Sequence, residues 1–348
     1  MKEFVIIFLT GLFISAFGQS PPLDKNWQIV FDDSFDFFNT NIWTTLHNDD
    51  LSESVAVAIS QNVYVSNGSL VIATKKETHC CPQNYYYCPK QNKTGECYQY
   101  TTGSLWSNTS YKYGYFEIYA KMPASGVLWP AFWLYAQSSD YNNSDYPPNP
   151  NAWYNEIDIF EAYGWEQNAV ESNTHFGLGN PPTCTNALGA LPHTVDYTSG
   201  YHWYGIEWYR DKIIWYIDSK RVRQTTNNMC GIGIQNPMKV ILDVGLYGTQ
   251  IPNGMIFPNY MYVDQINIWR LEYDCNTVVN EISNFNTFYY AVKKSITLSG
   301  ATTIPSNSNI SLRAAEYIEL TNGFEAPLGA ELYLDVNSCE NIGIIKKE

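Results

Sequence analysis

From Trp27 to about Cys275 the chain is written in short runs of alternating apolar and polar positions, broken every few residues by Gly, Asn, Pro or Ser. Val63-Tyr64-Val65, Ser69 to Ala73, Tyr115 to Lys121 and Lys212 to Asp218 are examples, each rich in Val, Ile, Tyr, Phe or Trp. Period two with β-branched and aromatic residues predicts strands, and the apolar spacing of an amphipathic helix is almost absent. Many short strands over about 250 residues, with no helical segments between them, predict two packed antiparallel sheets in a sandwich or jelly roll. The polar, proline-bearing stretch 138–151 is expected to be an exposed loop that walls a cleft.

Two other textures flank this region. Lys2 precedes an apolar run from Phe4 to Phe17 that closes on small residues near Gly18, the pattern of a cleaved signal peptide over residues 1–18. The run falls short of the ~20 residues that span a bilayer, so export rather than a membrane span is expected, with an extracellular, secreted product. Beyond Cys275 the strands become terse, as in Ser295 to Leu298, Tyr317 to Leu320 and Glu331 to Leu334, and no Trp occurs. The expected division is a catalytic-type β domain over 19–275, a linker over 276–283 and a small β module over 284–348. That module offers a means of attachment to a cell surface or matrix.

Cysteine and charge narrow the picture. Eight cysteines in an exported chain predict disulfides, and Cys80, Cys81, Cys88 and Cys97 lie close enough for two local bridges. A zinc site with His79 is the rival, although adjacent Cys80-Cys81 does not match a C-x₂-C knuckle. A net charge of −14 argues against nucleic acid and anionic membranes as partners and makes polyanionic substrates unfavourable. The 28 Tyr and 11 Trp exceed what a core requires and suit a flat-faced ligand, with the general Tyr-richness of some all-β proteins as the competing explanation.

The chemistry is concentrated in Asn155-Glu156-Ile157-Asp158-Ile159-Phe160-Glu161, three acids inside an otherwise apolar run. On a regular strand Glu156 and Asp158 share a face and Glu161 points away; one bulged residue at Ile159-Phe160 returns Glu161 to that face. A structural ion-pair row would need cations, and Lys and Arg are absent from Met122 through Tyr209. Two glutamates on one face suit a retaining glycosidase, with Glu156 as nucleophile, Glu161 as acid/base and Asp158 tuning both through its charge. Trp129 and Trp133, at i and i+4 in Leu128 to Leu134, face one way on a strand and are expected to line a sugar groove. His175, one short connection after the acids, is expected to be a subsite contact, as are Trp106 and Trp153.

Together these residues resemble family 16 glycoside hydrolases of the laminarinase-like branch, whose motif carries the additional bulge residue. The likeness runs over most of residues 27–274, through Tyr113 to Glu117, Leu128 to Leu134, Thr174-His175-Phe176, Tyr201 to Trp208 and Val263 to Trp269. It implies a concanavalin-like β-jelly roll, retaining endo-hydrolysis of a β-linked polysaccharide without a cofactor, and nucleophile, helper and acid/base at Glu156, Asp158 and Glu161. It also implies a structural calcium, with Asp264 and the Gly68 carbonyl at the matching positions, though Ser34 stands where relatives carry Glu. A β-1,3- or mixed-linkage β-glucan is the expected substrate; the alternatives are a red-algal galactan (agarase, porphyranase or carrageenase type) and an inactive, lectin-like carbohydrate-binding protein. The C-terminal strands resemble a small stacked-β module of secreted bacterial proteins.

Overall fold

In the computed structural model the described residues are 21–22, 27–45, 55–80, 97–123, 125–136, 153–178, 191–209, 212–227, 234, 236–248, 250–271, 273–285, 288, 291–300, 302–306 and 308–336. The segment 1–18 and the whole of the expected loop 138–151 lie outside them, as do Cys81, Cys88, Cys184, Cys230 and Cys339. No helix among the described residues is long and apolar enough to cross a membrane.

Two antiparallel sheets face each other, as the alternation predicts. The eight-stranded sheet runs in the order Lys220–Thr226, Lys212–Ile217, His202–Trp208, Gly114–Lys121, Asn259–Leu271, Ser69–Thr74, Val63–Ser66. The long strand Asn259–Leu271 also pairs Trp27–Asp33 along its C-terminal half. The seven-stranded sheet runs Leu191–Thr194, Ala169–Leu178, Trp153–Ala162, Leu128–Ala136, Met238–Leu246, Ser104–Tyr111, Trp43–Thr44.

Period two explains which side chains meet between the sheets. Phe116, Ile118 and Ala120 from one sheet pack with Leu128, Phe132, Leu134, Ile157, Phe160, Leu242 and Val244 from the other, all buried in one core. Full burial of each Leu, Ile or Phe is worth about 1.5–3 kcal/mol, so the register is strongly specified and the odd-numbered positions of Leu128–Ala136 are forced outward. At one sheet corner the chain passes Tyr113 (φ 58°) and Gly114 (φ 120°). A Cβ on Gly114 would sit 2.2 Å from the Trp269 carbonyl oxygen, so only glycine lets the two strands approach there.

Cys80 and Cys97 are joined in a disulfide that closes the short strand pair His79–Cys80 and Cys97–Tyr98, which removes these two sulfurs from the rival zinc reading. Cys275 is also disulfide-bonded.

After the sandwich, Tyr273–Val279, Val292–Leu298, Asn309–Leu320 and Glu331–Val336 form a four-stranded parallel sheet. It has its own core of Ile282, Phe285, Ile296, Leu298, Ile304, Ile310 and Leu312. The expected linker 276–283 is therefore corrected: residues 276–279 belong to the first strand of this sheet. The polar sequence Asp274 to Thr277 reads as a loop locally, and the register shifts across it, but Asp274, Val278 and Val279 pair with Lys293, Ser295 and Ile296. Arg313 of the small sheet lies over the Tyr209 ring of the sandwich at 3.9 Å, with Tyr273 packed beside Tyr209, Ile214 and Leu271.

Candidate active site

The three acids sit on strand Trp153–Ala162, between Leu128–Ala136 and Ala169–Leu178. On one side Phe132 pairs with Phe160 and Trp133 with Asp158, so Ile159 is an additional residue without a counterpart. On the other side Asp158 pairs with Asn173 and Glu161 with Glu171, again one residue longer on the acid strand. Glu156, Asp158 and Glu161 consequently stand opposite Tyr135, Trp133 and Ala131, a single alternating set on the outer face of the sheet.

The bulge frees a backbone carbonyl, and the opposite sheet supplies its partner. The Trp215 indole N–H, buried in the core, donates to the Asp158 carbonyl oxygen at 2.9 Å. A buried acceptor left unmade would cost about 1–3 kcal/mol, so this contact favours the bulged register over the straight one.

Glu161 accepts a hydrogen bond from the Trp129 indole N–H at 2.9 Å. Burial, then the charges of Asp158 and Glu156, push its carboxyl well above the usual carboxylate range, outweighing Trp129 and His175, which pull it down. His175 places Nε2 3.4 Å from Asp158 Oδ2 and 3.6 Å from Glu156 Oε1. Burial lowers the imidazole pKa, but Asp158, Glu156 and Glu161 together override it and raise it to about 9. The cluster therefore favours a proton on Glu161 and an imidazolium facing Glu156 and Asp158. Ligand atoms of Glu156, Asp158 and His175 lie within 4.8 Å of one another, the spacing of a metal set, yet the raised imidazole pKa favours a proton there.

The expected subsite residues divide. Trp133 is half-buried, and its indole N–H donates to Asp243 at 3.2 Å, so both groove tryptophans are oriented by a carboxylate. Trp106 lies on the same face but is only 2% exposed, edge-on to Trp133 and Tyr135 at 6.2 and 6.1 Å. Its expected sugar contact is corrected to support of those two rings. The backbone of Trp153 pairs with Leu178, and its side chain lies outside the described residues. His175 stands opposite Glu156 across the strand pair, beside the acids as expected.

The positions expected to hold calcium are the turn residue Gly68, between strands Val63–Ser66 and Ser69–Thr74, and Asp264 on strand Asn259–Leu271. The Asp264 carboxylate accepts the Ser69 hydroxyl at 2.8 Å, and Asp33 is consumed by the Phe35 amide and the Trp43 indole, both at 2.8 Å. Among the described residues the one cluster of three or more His, Cys, Asp or Glu ligands is Glu156, Asp158 and His175.

Sequence reasoning missed Trp215, Asp243, Tyr163, Trp165 and Tyr247. Tyr163 and Trp165 were within reach, two and four residues past Glu161 in an aromatic-rich turn. Trp215 was not, because nothing local tells which core residue answers a carbonyl on another sheet.

Residues 52–251 match the family model for Glycosyl hydrolases family 16. The chain is similar to the endo-1,3-1,4-beta-glycanase EglC of Rhizobium meliloti (strain 1021), 30% identical over 183 residues, 51% of this chain and 35% of that protein. It therefore spans about a third of that relative's length. It is also similar to the kappa-carrageenase of Pseudoalteromonas carrageenovora, 26% identical over 333 residues, 86% of this chain and 80% of the relative. Among solved structures, the laminarinase catalytic domain from Thermotoga maritima MSB8 superposes with a TM-score of 0.56 at 25% identity, covering 71% of this chain and 99% of that domain.

Proposed function

The chain belongs to glycosyl hydrolases family 16, and from that premise we propose that it is a retaining endo-β-glycosidase that cleaves internal linkages of a β-1,3- or mixed-linkage β-glucan. The observation that carries the reading is the bulge, which gathers Glu156, Asp158 and Glu161 on one face while their mutual charge and burial hold a proton on Glu161.

Glu156 attacks the anomeric carbon as its carboxylate, and Glu161 donates its proton to the departing glycosidic oxygen, leaving a glycosyl ester on Glu156. Glu161, now ionised, takes a proton from water, which attacks the same carbon and returns Glu156 free with the configuration retained. Ionised Glu161 is disfavoured by burial and by Asp158, so its hunger for a proton assists this second step. His175, as the imidazolium, supplies the countercharge that faces Glu156 and Asp158. The chemistry calls on no cofactor.

A neutral glucan is favoured by the three acids and by the absence of Lys and Arg from Met122 through Tyr209, which leaves that stretch without partners for sulfate. The kappa-carrageenase likeness, over 86% of the chain, supports a galactan as the second reading. Export and attachment through the C-terminal sheet belong to the same proposal.

Incubation with laminarin, mixed-linkage β-glucan, agarose, porphyran and κ-carrageenan, counting new reducing ends, tests it. Release from a glucan is expected; release from a galactan alone would move the substrate, and binding without release would favour a lectin. An inverted first product by proton NMR would overturn the retaining mechanism.

A further inference from the structure

Beyond Glu161 the rings continue. Trp129, which holds Glu161 through its indole N–H, stacks on Tyr163 at 6.0 Å and 24°, and Tyr163 stacks on Trp165 at 4.7 Å and 24°. Tyr247 flanks all three, its ring 5.4 Å from Trp129, 5.7 Å from Tyr163 and 5.3 Å from Trp165. The ladder emerges into solvent: Trp165 is 53% exposed and Tyr247 39%.

An exposed indole on a turn is ordinarily mobile, yet this turn is clamped. The Gly164 N–H donates to the Leu128 carbonyl at 2.8 Å, and the Tyr163 carbonyl accepts the Tyr197 hydroxyl at 2.7 Å. A Cβ on Gly164 would meet the Ser125 carbonyl oxygen at 2.4 Å, so the turn is pressed against the neighbouring segment. A rigid, half-exposed aromatic face stacked on others loses little freedom when a flat partner docks.

We propose that Trp165, backed by Tyr163 and edged by Tyr247, is a stacking platform for a further pyranose ring of the leaving-group half of a neutral β-glucan. The inference rests on the functional reading above. Its direction follows from continuity: the ladder starts at the carboxyl that protonates the departing oxygen, so the sugar beyond it leaves with that oxygen. β-Linked glucose carries its hydroxyls equatorially and presents apolar C–H faces, the chemistry that an indole face accepts. No Lys or Arg occurs in the sequence around this turn, which suits an uncharged ring.

The test compares kcat/KM of wild type, Trp165→Ala and Trp165→Tyr on laminarihexaose and on 4-nitrophenyl β-laminaribioside, whose small aryl leaving group does not extend to a second leaving-group sugar. Trp165→Ala should lose about tenfold more on the hexaose than on the aryl glycoside, mostly in KM, and Trp165→Tyr should recover most of that difference. Equal losses on both substrates, or none on either, in a variant with wild-type melting behaviour would overturn the platform and leave the functional reading standing. A wild type that cleaves neither substrate would overturn the functional reading and the platform with it.

Discussion

Each sheet of the sandwich carries a buried glutamate with a raised pKa on its outer side, and the two are put to different use. On the eight-stranded sheet Glu117 alternates with core residues Phe116 and Ile118, is fully buried, and accepts a hydrogen bond from Asn267 at 3.0 Å and another from Tyr115. Burial pushes it up to about 8. Around it lies a dry aromatic layer in which Tyr115 packs against Trp27, Tyr216 and Trp269, while the hydroxyls of Tyr209 and Tyr216 both donate to Glu207. Glu161 on the seven-stranded sheet is also raised by burial, but it shares its face with Asp158, Glu156 and His175 and borders an open aromatic ladder. A displaced pKa therefore does not mark catalysis by itself. A second carboxylate to complete the chemistry, and access for substrate, do.

The largest effect that separates the two sheets is turnover. Glu156→Ser or Glu161→Ala should lower kcat by roughly a hundredfold to ten-thousandfold while polysaccharide binding survives, and azide should give a glycosyl azide of inverted configuration with the Glu156 variant and of retained configuration with the Glu161 variant. Retained turnover in either folded variant would remove it from the assigned role.

Next in size is the tie between the sheets. Trp215→Phe keeps the ring in the core but removes the N–H that answers the Asp158 carbonyl, so the bulge loses its cross-sheet support. A fall of about tenfold in kcat with little change in KM is expected, since sub-ångström misplacement of a reacting group is costly. A shifted pH profile should accompany it; a drop in melting temperature with an unaltered profile would make Trp215 a packing residue only.

A smaller effect concerns pH. Glu161 works protonated, so activity is lost as pH rises through its raised pKa. Asp158→Asn removes the second cause of that rise, after burial, and should move the alkaline limb of kcat/KM to lower pH, besides slowing the reaction. An alkaline limb that stays put would assign it to another group.

Glu117 gives the smallest effect, and it is one of stability. Its folded pKa of about 8 stands above the ordinary 4.5, so the folded form binds the proton more tightly. The stabilisation is full below about pH 4.5 and is lost as pH rises through 8. Glu117→Gln should flatten the decline of melting temperature across that window, by about a few degrees at its alkaline end.

The sandwich and the acid face were legible in the sequence because both rest on local rules. Alternation fixes which residues enter the core, and the E-x-D-x-x-E spacing demands one additional residue if three acids are to share a face. The rest depended on neighbours distant in sequence. Trp106 has the same local signature as Trp133, and only the rings packed over it distinguish a supporting indole from a half-open one. Residues 276–279 looked like a linker because the strand partner, Val292–Leu298, begins more than ten residues later. Asp264 invited calcium by position, and its contact with the Ser69 hydroxyl is visible only in three dimensions.

The most direct measurement is the initial rate of reducing-end release from laminarin by wild type, Glu161→Gln and Glu117→Gln, each first shown to be folded. The account predicts a loss of at least about a hundredfold for Glu161→Gln and a rate within about twofold of wild type for Glu117→Gln. Comparable rates for the two variants would contradict it, because burial alone would then no longer be distinguishable from catalysis.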